Sequence, residues 1–263
     1  MIKDPIKPFD ITRGLKTNYI GKNIHYLKRT SSTNEEAKKL AKLHEAEGTL
    51  IIAEVQNKGK GRFNRHWFSP QGGIWASLIL RPTISSKQIP LITLIVGIAI
   101  CEAVREITKK EATLKWPNDC LIKGKKFSGI LLESQKIKNV LEYLVVGFGV
   151  NVNINKELFP KDLENIATSL NEELGKKISR IDLIKLILEN IEHLYEIIKK
   201  GGIEEIKRRW KYFSDTIGRE VSVMTPKEII KGRALDINDE GALIISQNHN
   251  KIITVYSGDL EYL

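Results

Sequence analysis

Between Ile89 and Thr108 the chain reads IPLITLIVGIAICEAVREIT, and the first charge after Ile89 is Glu102. A helix that is apolar on almost every face has to be covered by other elements. The uncharged run is shorter than the ~20 residues that cross a bilayer, so the cover is expected to be protein, a sheet lying against the helix. Candidate strands stand on both sides. TLIIAEVQ and IWASLILRP come before, the second stopped by Pro82; ATLKWPND and CLIKGKKFSGILLESQ, around a Lys-Gly-Lys turn, and VLEYLVVGFGVNVN come after. Helical patterns surround them. SSTNEEAKKLAKLHEAEG opens on a capping Ser32 or Thr33, carries Glu35 and Glu36 in its first turn and meets Gly48 at its end; IDLIKLILENIEHLYEIIKK and IEEIKRRWKYF follow later. The expected class is α+β, a mixed sheet packed with helices.

Near Thr216 the period changes. REVSVMT, IIKGRALDIN, GALIIS and KIITVYS are short strands with tight turns such as Asn238-Asp239-Glu240-Gly241, and four or five such strands make a small barrel. A length of 263 residues allows one large and one small domain. The division falls between residues 1–214 and 215–263. No internal repeat or low-complexity tract interrupts either part.

Composition excludes several classes. With 41% hydrophobic and 28% charged residues the chain is globular rather than disordered. The start MIKDPIKPFD has no apolar core of a secretory signal. Cys101 and Cys120 lie in a helical pattern and a strand pattern without metal-ligand spacing, and read as buried free thiols of a cytoplasmic protein. The net charge of +10 fits an anionic partner, nucleic acid included, but the lysines are spread along the whole chain.

The charge is concentrated once, in QNKGKGRFNRHWFSPQGG, Gln56 to Gly73. Gly59 and Gly61 allow close backbone approach and positive φ, and Lys60, Arg62 and Arg65 with backbone N–H groups can cradle phosphate. It is neither a GxxxxGK[ST] loop nor a GxGxxG fingerprint, and a solvated loop or an RNA contact would look similar. A second cluster is KWPNDCLIKGKKFSGILLE, Lys115 to Glu133. Pro117 stiffens it. Asn118 and Asp119 offer oxygens to Mg²⁺, a hydroxyl or an adenine edge, with Lys115 and Lys126 alongside. A strand end with an Asn-Asp turn accounts for the Asn and Asp, but not for Lys and Trp ending a buried strand. SSTN, Ser31 to Asn34, reads by itself as a helix cap. The glycines of GFGVNVN mark close approach of a ligand or of another backbone.

In this order, STN, Gln56 with its glycine-basic loop, KWPND with Lys126 and GILLE, and GxGxN resemble the biotin protein ligases, also called biotin–[acetyl-CoA-carboxylase] ligases. The resemblance runs from about Thr30 to Asn153, and the C-terminal strands look like that family's SH3-like domain. It implies a catalytic domain like that of class II aminoacyl-tRNA synthetases and a small C-terminal SH3-like β-barrel. It implies a biotin–[biotin carboxyl-carrier protein] ligase, which joins biotin to ATP as biotinyl-5′-adenylate with Mg²⁺. Biotin then passes to one lysine of a biotin carboxyl carrier protein domain. Ser32, Thr33, Asn34 and Gln56 match the holders of the biotin ureido end, with Gly59, Lys60, Gly61, Arg62, Lys126 and Gly129 completing the biotin set. Arg62, Arg65, Trp67, Lys115, Asn118, Asp119, Lys126, Gly147 and Asn151 match the nucleotide side, and Asp119 the metal. Arg62 and Lys126 match the catalytic pair. The physical logic agrees: carboxylate and phosphate repel, and cations with a metal offset that repulsion, while a closing loop keeps the adenylate from water.

The loop departs from the usual pattern of roughly GRGRxGRxW. Lys60 replaces an Arg and gives up bidentate geometry, Phe63 stands where Arg is frequent, and Asn64 stands where Gly is usual and tolerates positive φ best among other residues. With STN at residues 32–34 the chain resembles the single-function type, without a helix-turn-helix domain or specific DNA binding; a homodimer through sheet edges is the family expectation. The rival of the same fold is a lipoate or octanoate ligase or transferase. The rival of another class is a basic nucleic-acid-binding protein, which leaves STN, KWPND and GILLE without a reason to occur together.

Overall fold

The computed structural model describes residues 5–137, 140–248 and 251–263, with the side chains of 136–140 left aside. Residues 1–4 of the MIKDPIKPFD start lie outside the described residues. Seven strands form one sheet: β1 (Ile24–Leu27), β2 (Leu50–Ala53), β3 (Ile74–Leu80), β4 (Thr113–Lys115), β5 (Asp119–Ile122), β6 (Lys125–Ile137) and β7 (Val140–Val150). Their order is β1-β2-β3-β7-β6-β5-β4. β1 and β2 run parallel and the other neighbours antiparallel, so the sheet is mixed. The helices are α1 (Pro8–Thr12), α2 (Thr33–Lys42), α3 (Leu91–Thr108), α4 (Leu170–Leu174), α5 (Arg180–Lys199) and α6 (Ile203–Phe213).

Alternation along the strands sorts the two faces. Leu50, Ile52, Ala76, Leu78, Val146 and Phe148 enter one large core with α3 and α5. The apolar helix α3 is covered by the sheet, as its composition demands, and also by α5 and α6. On the opposite face Ile51, Ile79, Tyr143 and Val145 pack under Ala37 and Ala41 of α2. No helix among the described residues is long and apolar enough to cross a membrane.

Two expectations for α2 need correction. It stops at Lys42, well before Gly48, because Leu43 already leaves the helix and His44 takes φ +61°. Ser32 stands at the N-cap, but its side chain makes no capping bond. Gln56 does that work from a distant loop: its Oε1 accepts from Thr33 N at 2.8 Å, satisfying one of the orphan donors of the first turn.

The remaining strands form a second antiparallel sheet: β8 (Glu220–Met224), β9 (Ile229–Ile237), β10 (Leu243–Ser246), β11 (Ile252–Val255) and β12 (Asp259–Tyr262). Its order is β11-β10-β9-β8-β12. The fifth strand, DLEY, escaped the pattern because it buries only Leu260. This sheet is sewn to KWPND. Asp215 N donates to Leu114 O at 2.8 Å, Trp116 N to Thr216 Oγ1 at 3.0 Å and Trp116 Nε1 to Gly241 O at 3.1 Å.

Candidate active site

Beyond the N-terminus of α2, the sheet face that α2 covers turns to glycine. Register places Trp75, Gly149 and Gly129 in one row and Ser77, Gly147 and Leu131 in the next. Something lies directly on each glycine. A Cβ on Gly147 would collide with Asn34 Oδ1, and one on Gly149 with Trp67 Nε1. At Gly129 it would stand 3.0 Å from the Trp67 ring and 3.1 Å from Lys126 Cε.

A buried polar corner borders this floor. Thr33 N and Oγ1 both donate to Gln56 Oε1. Ser77 Oγ lies 2.7 Å from Thr33 Oγ1 and 2.6 Å from Asn34 Oδ1, its one proton shared between them. Asn34 Nδ2 donates to Glu133 Oε2 at 2.7 Å, which fixes which way the amide faces. Gln56 Nε2 donates to Ser69 Oγ, and Ser69 Oγ to Trp67 O. From Glu133 a row of alternating charges, Lys38, Glu35 and Lys60, leads to the basic loop.

That loop is a small hairpin. Trp67 N donates to Gly59 O and Gly61 N to Arg65 O. Its tip carries the positive φ, but not at the glycines expected to supply it. Phe63 has φ +53° and Asn64 φ +59°, while Gly59 and Gly61 have none. Gly59 is needed for space, since a Cβ would fall 2.6 Å from Ser69 Oγ; Gly61 has ordinary room. Arg62 donates to Asn118 Oδ1 at 3.2 Å, Gly258 O at 3.1 Å and Ser257 Oγ at 3.1 Å. Arg65, more exposed, pairs with Asp259.

The KWPND arm faces the loop across the floor. Its Trp116-Pro117 peptide is cis. Asn118 Nδ2 donates to Ile130 O at 2.9 Å, leaving its oxygen for Arg62. Lys126 Nζ lies 2.7 Å from Asp119 Oδ1, a charge contact without hydrogen-bond angles, and 5.1 Å from the Trp67 ring centre. Lys115 sits 5.0 Å over the Tyr262 ring. Burial pushes the pKa of Lys115 down, with Asp119 opposing and Lys126 adding to the fall. Burial likewise lowers Arg62, against Asp259 and Asp119. Three half-buried cations thus gather at Asp119, with Asp259 also facing Arg62 and with Glu261 and Asp215 also facing Lys115. Cations gathered in a partly desolvated site favour a polyanion.

Most of the expected residues do converge. Gly147, expected on the nucleotide side, lies under Asn34 at the polar corner. Asn151 Nδ2 donates to Thr168 O at 3.0 Å, and its buried Oδ1 has no hydrogen-bond partner among the described residues. Among the described residues no three His, Cys, Asp or Glu gather to hold an ion, at Asp119 or elsewhere. Sequence reasoning missed Ser77, the role of Glu133 and the segment after β7. Lys126 N donates to Ile166 O and Thr168 N to Lys126 O, so that segment flanks the lysine. GILLE had drawn attention to Glu133 as part of a motif, without a role; nothing in IWASLIL marks Ser77.

Comparison with known proteins agrees with this geometry. Residues 26–151 match the biotin/lipoate A/B protein ligase family, and residues 216–261 match the biotin protein ligase C-terminal domain. The chain is 38% identical over 264 residues to the bifunctional ligase/repressor BirA of Bacillus subtilis, covering 99% of this chain and 81% of that protein. It is 27% identical to the biotin–[acetyl-CoA-carboxylase] ligase of Mycobacterium tuberculosis, covering 99% and 98%. The biotin protein ligase of Aquifex aeolicus, solved in complex with biotin and ATP, superposes with a TM-score of 0.82 at 30% identity, covering 92% of this chain and all of that one. The likeness extends through both sheets, and the chain belongs to the biotin protein ligase family.

Proposed function

We propose that the glycine floor and its surroundings carry out biotin activation as follows. The carboxylate oxygen of biotin attacks the α-phosphorus of ATP. The bond to the β-phosphate oxygen breaks, and pyrophosphate leaves biotinyl-5′-adenylate. A lysine amine of a carboxylase carrier domain then attacks the acyl carbon, AMP departs, and the amine gives up a proton. The observation that carries this reading is the gathering of Arg62, Lys115 and Lys126 around Asp119, beside a floor of glycines. Lys126 stands between the two reacting anions, and Arg62 covers the product.

The ureido group of biotin fits the corner of Ser32, Thr33, Asn34 and Gln56, where hydroxyl and amide groups offer both donors and acceptors. Its apolar stem fits beside Trp67, whose ring lies on Gly129 and Gly149. Gly59, Lys60 and Gly61 belong to the cover. Arg65, Asn118 and Asn151 belong to the nucleotide end, where the partnerless Asn151 Oδ1 is a free acceptor. Mg²⁺ belongs to the nucleotide substrate: such an ion is held by one or two carboxylates and the phosphates, and Asp119 is the carboxylate in reach. The lipoate reading is not favoured, since the C-terminal match is to a biotin protein ligase domain. The catalytic unit is assigned to residues 1–214 and the second unit to 215–263, supported by the passage from α6 to β8 across Ser214.

A homodimer through a sheet edge would use β1, because the outer edge of β4 already bridges to Ser214. Two buried free thiols suit a reducing cytoplasm. Retention of these residues on DNA is expected to be diffuse and to vanish with salt; a footprint surviving physiological salt would contradict this. The deciding experiment is ATP–pyrophosphate exchange with biotin and then with lipoate, followed by mass spectrometry of the product. Exchange and a biotinyl-adenylate mass with biotin alone are expected. Exchange driven only by lipoate would overturn the assignment.

A further inference from the structure

Three consecutive residues at the entry to β12 meet the basic loop. Arg62 reaches Ser257 Oγ and Gly258 O, and Arg65 pairs with Asp259. Their position is fixed by packing. A Cβ on Gly258 would fall 2.5 Å from Val223 Cγ1 and 2.8 Å from Met224 O, so the chain presses on β8 there. Asp259 is then held in register opposite Met224. The same Arg62 guanidinium also reaches Asn118, so one side chain joins the second sheet, the loop and the KWPND arm. On its other flank the loop is tied to α2 by Lys60 and Glu35.

The partners of the two arginines differ in kind. Arg62 is met by neutral oxygens, of Asn118, Ser257 and the Gly258 carbonyl. A phosphate is a stronger acceptor than any of them, so Arg62 can change partner without breaking a charge pair. Arg65 has the carboxylate of Asp259. We propose that Asp259 is a positioning residue which clasps the loop through Arg65, holding it over the site while Arg62 exchanges neutral partners for the substrate phosphate. The second sheet is thereby a working part of the substrate cover. The clasp itself rests on geometry alone; its kinetic consequence rests on the adenylate reading given above.

The test is amide hydrogen exchange of the loop in the ligand-free full chain, together with the release rate of adenylate. Asp259→Asn and Arg65→Ala should each speed exchange at Gly61 and Trp67 by about fivefold, the range of an exposed ion pair. The double variant should be no faster than either single one. In Asp259→Asn adenylate should leave faster by a similar factor, with the rate of its synthesis unchanged. Asp239→Asn, which removes an ion pair between the second sheet and Lys207 of α6, should leave the loop as it is. Unchanged exchange in both Asp259→Asn and Arg65→Ala would overturn the clasp. So would an equal effect of Asp239→Asn, which would mean that general docking of the sheet is responsible. Should Asp259→Asn fail to fold, Arg65→Ala decides alone, since its side chain is 67% exposed. A wild type that makes no biotinyl-adenylate would sink the functional reading, while the exchange measurement would still decide the clasp.

Discussion

The glycine floor and the basic loop meet at Trp67, yet they are held by different forces. The floor is part of three paired strands, and its neighbours Thr33, Asn34 and Ser77 are buried and hydrogen-bonded to one another. The loop closes on itself with a few backbone bonds and is attached at its tip by exposed cations. Sheet pairing and burial give precise placement at high cost of rearrangement. Exposed ion pairs are each worth at most about 1 kcal/mol, which allows opening. A site that must recognise one small acid and then release a reactive product to one lysine needs both.

The sharpest test of this contrast is Lys126→Ala. Removing the cation between two anions should slow adenylate formation by ~10²-fold or more, measured by biotin-dependent pyrophosphate exchange. Lys125→Ala is the control, because Lys125 acts on Glu173 rather than on the Asp119 cluster. Equal rates for the two variants would take Lys126 out of the reaction. Next comes Gly149→Ala. The new methyl must displace the Trp67 ring at a cost of ~1–3 kcal/mol, and the biotin KM should rise about tenfold or more. A KM equal to wild type would show that the floor does not shape the biotin site.

Gln56→Ala removes the acceptor of Thr33 and the donor to Ser69. Leaving those partners unsatisfied should cost ~1–3 kcal/mol, split between thermal stability and biotin affinity in calorimetry. Loss of stability with no loss of affinity would make the corner purely structural. The smallest effect on synthesis is expected from Arg62→Gly, within about tenfold of wild type, because Lys126 and Lys115 remain. Its product should leak and label bystander proteins, since the loop loses a cation and gains backbone entropy. Tight adenylate retention by this variant would mean that the charge of the loop is not what holds the product.

Local chemistry was legible where a residue's reason is local. The apolar run of α3 demanded cover, Lys123-Gly124 marked the β5–β6 turn, and Asn64 announced a positive φ that it does adopt. STN, Gln56, KWPND and Lys126 were visible as unusual strings, and they do lie together. Ser77 was not visible, because a Ser in a buried strand becomes meaningful only when Thr33 and Asn34 arrive over it. The contact of Gly147 was not visible for the same reason: its neighbour is 113 positions away in sequence, at Asn34.

The sequence by itself determined the alternation of apolar residues, the placement of turns and the grouping of cations on two short segments. These follow from period, backbone freedom and charge, which are properties of neighbouring residues. Only the tertiary structure decided that Gln56 would cap α2, that Glu133 would orient Asn34, and that Ser257 to Asp259 would take hold of the loop. Hydrogen bonds and ion pairs form between whichever groups packing brings within about 3 Å. That proximity is set by the sheet order β3-β7-β6 and by the seam between the two sheets, neither of which any single stretch of the chain encodes.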